Sequence, residues 1–147
     1  VVMAEPAAGL LSPSLMDDFS TPYVRRIIDA VEDENFIVMY HNCGNISMLF
    51  DSINKVNAKA YSFGNAIDIE DGLKAVPSDR MVIGNIDPAG IFRQGTPELV
   101  KQETLSLLER CSKYPNFVIS SGCDIPPVTP LENIDGFFQA VNEFYKN

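Results

Sequence analysis

Phe36-Ile37-Val38-Met39-Tyr40 is an unbroken apolar run, and it leads directly into His41-Asn42-Cys43-Gly44-Asn45. A short apolar run of this kind, closed by small polar residues, suits a strand buried on both faces, as in parallel sheets. Four more runs share the pattern: Val1-Val2-Met3-Ala4, the stretch from Ala58 to Phe63, Met81-Val82-Ile83-Gly84 and Phe117-Val118-Ile119-Ser120. Helical signals fall between them. Ser20-Thr21-Pro22 joins an N-cap to a proline in the first turn, and Val24, Ile27, Ile28 and Val31 then mark one face. Ile46, Leu49, Phe50 and Ile53 suggest a short helix, and Asp68-Ile69-Glu70-Asp71 opens another with acids where the helix dipole favours them. Gly95-Thr96-Pro97-Glu98 starts a helix that buries Val100, Leu107, Leu108 and Cys111. Thr129-Pro130-Leu131-Glu132 reads as an N-cap, a helix-starting proline and a capping-box glutamate, ahead of a face of Ile134, Phe138, Val141 and Tyr145. The gap before Ser20, where Pro6 to Ser14 is rich in Pro, Gly and Ser, is expected to be a loop at the mouth of the sheet rather than a helix.

About five strand–helix units with no linker predict a single domain over residues 1–147, an α/β fold with a parallel sheet and right-handed crossovers. Two architectures fit: a doubly wound sheet, or part of a TIM (β/α)₈ barrel, which needs about 250 residues when whole. Neither G-x-G-x-x-G nor G-x-x-x-x-G-K-[ST] occurs, which weakens the nucleotide-binding versions of the first. On the second reading the chain is the C-terminal part of a barrel. Its two open strand edges then require a missing N-terminal half or a second copy.

Composition narrows the function classes. Of 147 residues, 46% are hydrophobic and 21% charged, with a mean hydropathy of +0.01, so the chain is expected to bury a core. A net charge of −9 repels nucleic-acid backbones and anionic lipid, and neither is expected as a partner. No apolar run approaches a membrane span, and the N-terminus has no basic n-region, so no secretion signal is expected. Three cysteines are an odd number and too few for a disulfide framework. The expected compartment is reducing and cytoplasmic, with thiols free or bound to metal.

The residues able to carry chemistry stand where the strands end: Glu5-Pro6, His41-Asn42-Cys43-Gly44-Asn45, Asn85-Ile86-Asp87-Pro88 and Ser121-Gly122-Cys123-Asp124. C-terminal strand ends form the active face of both architectures. His41 and Cys43 are two apart, so alternation points both to one side. With Cys123 they offer one imidazole and two thiolates, three good zinc ligands that leave a fourth position open, as catalytic zinc sites do. The competing reading makes all three ordinary buried residues, since free cysteine is among the most buried types. Cys111, on an apolar helix face, is assigned to the core. Glu5 and Asp87 are carboxylates placed to serve as a fourth ligand, a partner for the second nitrogen of His41 or a substrate contact, or else to cap loops in solvent. Asp17-Asp18, Asp33-Glu34 and Arg25-Arg26 read as solvated surface.

The segments His41-Asn42-Cys43-Gly44-Asn45, Gly84-Asn85-Ile86-Asp87-Pro88 and Ser121-Gly122-Cys123-Asp124-Ile125-Pro126-Pro127, with Thr129-Pro130-Leu131-Glu132-Asn133-Ile134 following, resemble the uroporphyrinogen decarboxylase superfamily. Within it they look like the cobalamin-dependent branch that includes the methylcobamide:coenzyme M methyltransferases. The resemblance spans nearly the whole chain but only about the C-terminal half of a family member. It implies a (β/α)₈ barrel and a zinc ion on His41, Cys43 and Cys123. It also implies transfer of a methyl group from a corrinoid (cobalamin), carried by a partner corrinoid protein, to a small thiol such as coenzyme M. The decarboxylases themselves carry a Leu-Gly-His-Gly-like segment where this chain has Ser121-Gly122-Cys123-Asp124, and they lack the paired cysteines. The alternatives are a uroporphyrinogen decarboxylase-like lyase of porphyrin biosynthesis, with the cysteines incidental, and an inactive barrel fragment or binding module.

Overall fold

The computed structural model describes residues 1–146. Five parallel strands form one sheet: β1 (Val2–Ala4), β2 (Met39–Asn42), β3 (Ala60–Phe63), β4 (Met81–Ile86) and β5 (Phe117–Ser121). Their spatial order is β1-β2-β3-β4-β5, the order of the chain. A doubly wound sheet reverses its strand order at a switch point, whereas a sheet that advances in one direction is a segment of a barrel wall. The fold is therefore part of a (β/α)₈ barrel, and the doubly wound alternative falls.

Strand alternation separates the two faces. Tyr40, Tyr61, Phe63, Val82 and Ile86 are buried in the hydrophobic core, which packs under the helices. Val2, Ala4, Met39, His41, Ser62 and Ser120 line an open cleft on the face that a closed barrel turns inward. The register sets Ala4 beside His41 and His41 beside Ser62.

The helices are α1 (Pro13–Phe19), α2 (Thr21–Val31), α3 (Phe50–Asn54), α4 (Ile69–Ala75), α5 (Pro97–Cys111) and α6 (Leu131–Lys146). Asp68 and Thr96 cap α4 and α5 as their sequences predict, accepting from Glu70 N and Leu99 N. Cys111 is fully buried in the core.

Four expectations need correction. The Pro6–Ser14 stretch is not a simple loop: Pro6–Leu10 is a 3-10 helix, and α1 starts at Pro13 with the Ser12 hydroxyl accepting from Leu15 N. Ser12-Pro13 is itself a cap followed by a helix-starting proline, a signal outweighed by the Pro and Gly around it. The strand expected over Phe36–Tyr40 begins at Met39 and carries His41 within it. Asp33 accepts from Asn35 N and Phe36 N in a turn that ends at Phe36, and Val38 N donates to the Glu32 carboxylate instead of to a neighbouring strand. The Ser20 side chain does not cap α2, and Thr129 does not begin α6; each hydroxyl donates elsewhere, to Glu5 and to the Pro126 carbonyl. Finally, two helix faces are rotated. On α2, Val24 and Ile28 are buried while Ile27 and Val31 are exposed. On α6 the buried residues are Asn133, Gly136 and Ala140, and Phe138 and Tyr145 face outward. Small residues win there because α6 lies hard against α5: a Cβ on Gly136 would stand 2.6 Å from the Pro97 carbonyl oxygen.

Candidate metal centre

His41 near the end of β2, Cys43 just beyond it and Cys123 just beyond β5 converge at the C-terminal ends of the strands. One ligand atom from each lies within 4.8 Å of both others. His41 Nε2 is 2.9 Å from Cys43 Sγ, and the two sulfurs are 3.4 Å apart, although 80 positions separate them in sequence. Two thiolates on one zinc ion stand about 3.8 Å apart, from Zn–S bonds of about 2.3 Å in a tetrahedron. The observed sulfurs need only a few tenths of an ångström of outward movement to match. One imidazole and two sulfurs are a donor set suited to zinc, and they fit it.

Close backbone contacts hold the three candidate donors in place. A Cβ on Gly9 would meet the Cys43 carbonyl oxygen at 2.4 Å, so the 3-10 helix can lie against the site only through a glycine. A Cβ on Gly64 would come within 3.2 Å of Cys43 Cα, and one on Gly122 within 2.7 Å of Asn65 N. Asn85, inside β4, donates to Gly64 O and Ile67 O and ties down the loop after β3. Ser121 Oγ donates to the carbonyl of Cys123.

His41 is buried, and burial holds its pKa below the usual 6.5 against the opposing charge of Asp124. The ring is therefore neutral near pH 7, the form that binds metal. Burial, reinforced by Cys123 and Asp124, pushes the Cys43 thiol up to about 11, so without a metal it stays protonated. The second ring nitrogen, Nδ1, is 3.0 Å from Ser62 Oγ.

Neither carboxylate proposed from the sequence as a partner of His41 reaches its ring. Glu5 Oε2 accepts from Tyr40 Oη at 2.5 Å and from Ser20 Oγ at 2.7 Å, while the Glu5 backbone N–H donates to the His41 carbonyl. Glu5 thus braces β1 against β2 from behind the site. Asp87 accepts from Ala89 N and Gly90 N and caps the π-helical turn Pro88–Arg93. Ser62 occupies the place expected of these acids. A lone polar residue in an apolar strand was its only trace in the sequence.

These three side chains open onto a cleft of about 500 Å³ lined by Val2, Ala4, Pro6 and Met39 on its apolar side and by Ser62, Ser120, Ser121 and Asp124 on its polar side. The arrangement offers three donors, an accessible space beside them and a neutral imidazole with its second nitrogen engaged.

The family model for uroporphyrinogen decarboxylase (URO-D) matches residues 1–144. The chain belongs to this family. Among its relatives, a uroporphyrinogen decarboxylase of Prochlorococcus marinus (strain NATL1A) is 30% identical over 99% of this chain and 42% of its own length. A methylcobamide:CoM methyltransferase of Methanosarcina acetivorans is 25% identical over 98% of this chain and 42% of its own. A solved methyltransferase from Methanosarcina mazei superposes with a TM-score of 0.86 at 24% identity, over 98% of this chain and 42% of that one. The chain spans less than half the length of these relatives, and they include both decarboxylases and methyltransferases.

Proposed function

We propose that this chain carries the zinc-holding part of a methyltransferase that moves a methyl group from a methylated corrinoid, borne on a partner protein, to a small thiol. The convergence of His41, Cys43 and Cys123 supports this reading. On the lyase reading the two cysteines beside the imidazole are incidental. We further propose that residues 1–147 are the C-terminal portion of a barrel, and that it works in the cytoplasm, where thiols 3.4 Å apart stay reduced.

His41 Nε2, Cys43 Sγ and Cys123 Sγ would hold the metal, and a bound zinc ion makes a substrate thiol reactive by favouring its thiolate form. The chain's own residues do the rest. Ser62 engages Nδ1 and turns Nε2 toward the sulfurs. Gly9, Gly64 and Gly122 let neighbouring backbone close around Cys43 and Cys123, which fixes where a thiol must bind. Val2, Ala4 and Met39 form an apolar wall beneath it.

Metal analysis of the purified chain tests the reading. About one zinc per chain is expected, with loss of zinc in Cys123→Ser and of thiol methylation from methylcobalamin along with it. Cys111→Ser should keep its zinc and lose only stability. A wild-type chain that takes up no zinc when supplied with it would sink the proposal. It would favour the lyase reading, which the 30% identity to a decarboxylase keeps in view.

A further inference from the structure

Resting on the methyltransferase reading, we propose that the acceptor is a neutral or cationic thiol, such as an aminothiol, and that Asp124 selects against anionic thiols such as coenzyme M. Asp124 directly follows Cys123 and lines the same cleft, where it is exposed. It is the only charged side chain on the cleft wall formed by the described residues. No lysine or arginine is among those lining residues. Lys55, Lys74, Lys101, Arg110 and Lys113 are instead paired with carboxylates elsewhere. Arg93 ends the π-helical turn near the mouth but is not part of the wall.

A small thiol held by its sulfur at His41, Cys43 and Cys123 has its tail in the cleft that Asp124 lines. Consecutive Cα atoms are about 3.8 Å apart, and a two-carbon thiol puts its charged end about 4–5 Å from its sulfur. Beside the Asp124 carboxylate a sulfonate or carboxylate tail is repelled and an ammonium attracted. The overall charge of −9 acts in the same sense.

Metal-free chain carrying Cys43→Ser leaves Cys123 as the one cleft thiol. Its thiolate attacks one sulfur of a small disulfide. The probe's S–S bond breaks, half of it stays on Cys123 as a mixed disulfide, and the other half leaves as a thiolate. The two probes are cystamine, a dication, and dithiodiethanesulfonate, a dianion, with rates followed by intact mass. Cystamine should react at least about tenfold faster. Asp124→Asn should cut that ratio by about tenfold, while Asp135→Asn, the same charge change on exposed α6, should leave it unaltered. Equal or inverted rates in the presence of Asp124 would overturn the proposal. So would a ratio that ignores Asp124→Asn, or one that falls equally with Asp135→Asn. In the zinc-loaded wild-type chain with methylcobalamin, cysteamine should be methylated faster than 2-mercaptoethanesulfonate, and the reverse order would also overturn it. A chain that binds no zinc and methylates no thiol defeats the methyltransferase reading instead. The exchange rates then judge the charge preference alone.

Discussion

His41 has two ring nitrogens, and a neutral imidazole keeps a proton on one of them. With Nδ1 at 3.0 Å from Ser62 Oγ, an Nδ1–H donated to that oxygen leaves the Nε2 lone pair facing Cys43. Removing the acceptor frees the ring to turn and to exchange tautomers. Ser62→Ala should therefore weaken zinc binding by about 10- to 100-fold with the fold intact. Competition against a chelator, alongside circular dichroism, measures both. An unchanged affinity would show that the ring is held by packing alone. The proton balance gives a second prediction. The Cys43 thiol, pushed up to about 11, must lose its proton to bind metal, so zinc affinity should rise as pH rises. The slope should be at least about tenfold per pH unit from pH 7 to pH 9. His41 adds nothing there, because burial has lowered its pKa and it is already neutral; its protonation weakens binding only in more acid solution. Chelator competition at three pH values reads the slope, and a flat profile contradicts a thiolate ligand at Cys43.

At the scale of elements, the sheet needs its outer helices pressed close, and two positions show how. The contact of α6 with α5 passes through Gly136, where an added Cβ meets the backbone oxygen of Pro97 at 2.6 Å. Backbone cannot swing aside as a side chain can. Gly136→Ala should cost about 1–3 kcal/mol from overpacking, outweighing the roughly 1 kcal/mol by which alanine favours a helix. Urea denaturation should show a lower midpoint, with the distant metal ligands still binding. Leu108, fully buried on α5, makes the opposite test. Leu108→Ala opens a cavity and should cost about 2–5 kcal/mol.

At the largest scale the described residues form a segment of barrel wall, with β1 and β5 at its two edges. Apolar side chains stand exposed beside both. Tyr23, Ile27 and Val31 project from α2, and Leu131, Phe138 and Tyr145, spaced seven apart, project from α6. Val2 and Val118 are exposed on the edge strands themselves. Surfaces of this kind and open edges both drive association. Sedimentation at tens of micromolar should show the isolated chain as a dimer or larger. Phe138→Asp should shift it toward monomer. A stable monomer in the wild type would mean that these surfaces are tolerated in water.

The sequence by itself determined the α/β class with a parallel sheet and singled out the three candidate donors. Five apolar runs alternating with capped helical segments allow little besides a parallel sheet, because patterning and capping act over a few residues. His41 and Cys43 share a side through strand alternation, which is equally local. Helix faces were legible on α5, where Val100, Leu107, Leu108 and Cys111 are buried as their spacing says. On α2 and α6 the covered face only partly matches the apolar spacing, because which side of an amphipathic helix is covered depends on its neighbours. Only the tertiary structure decided between barrel and doubly wound sheet, since strand order is a property of long-range pairing. It alone brought Cys123 to Cys43 across 80 residues. It also put Ser62, and not Glu5 or Asp87, beside His41. That choice follows from the register of β2 on β3, which sets His41 opposite Ser62, and no local pattern encodes a register between two strands 21 residues apart.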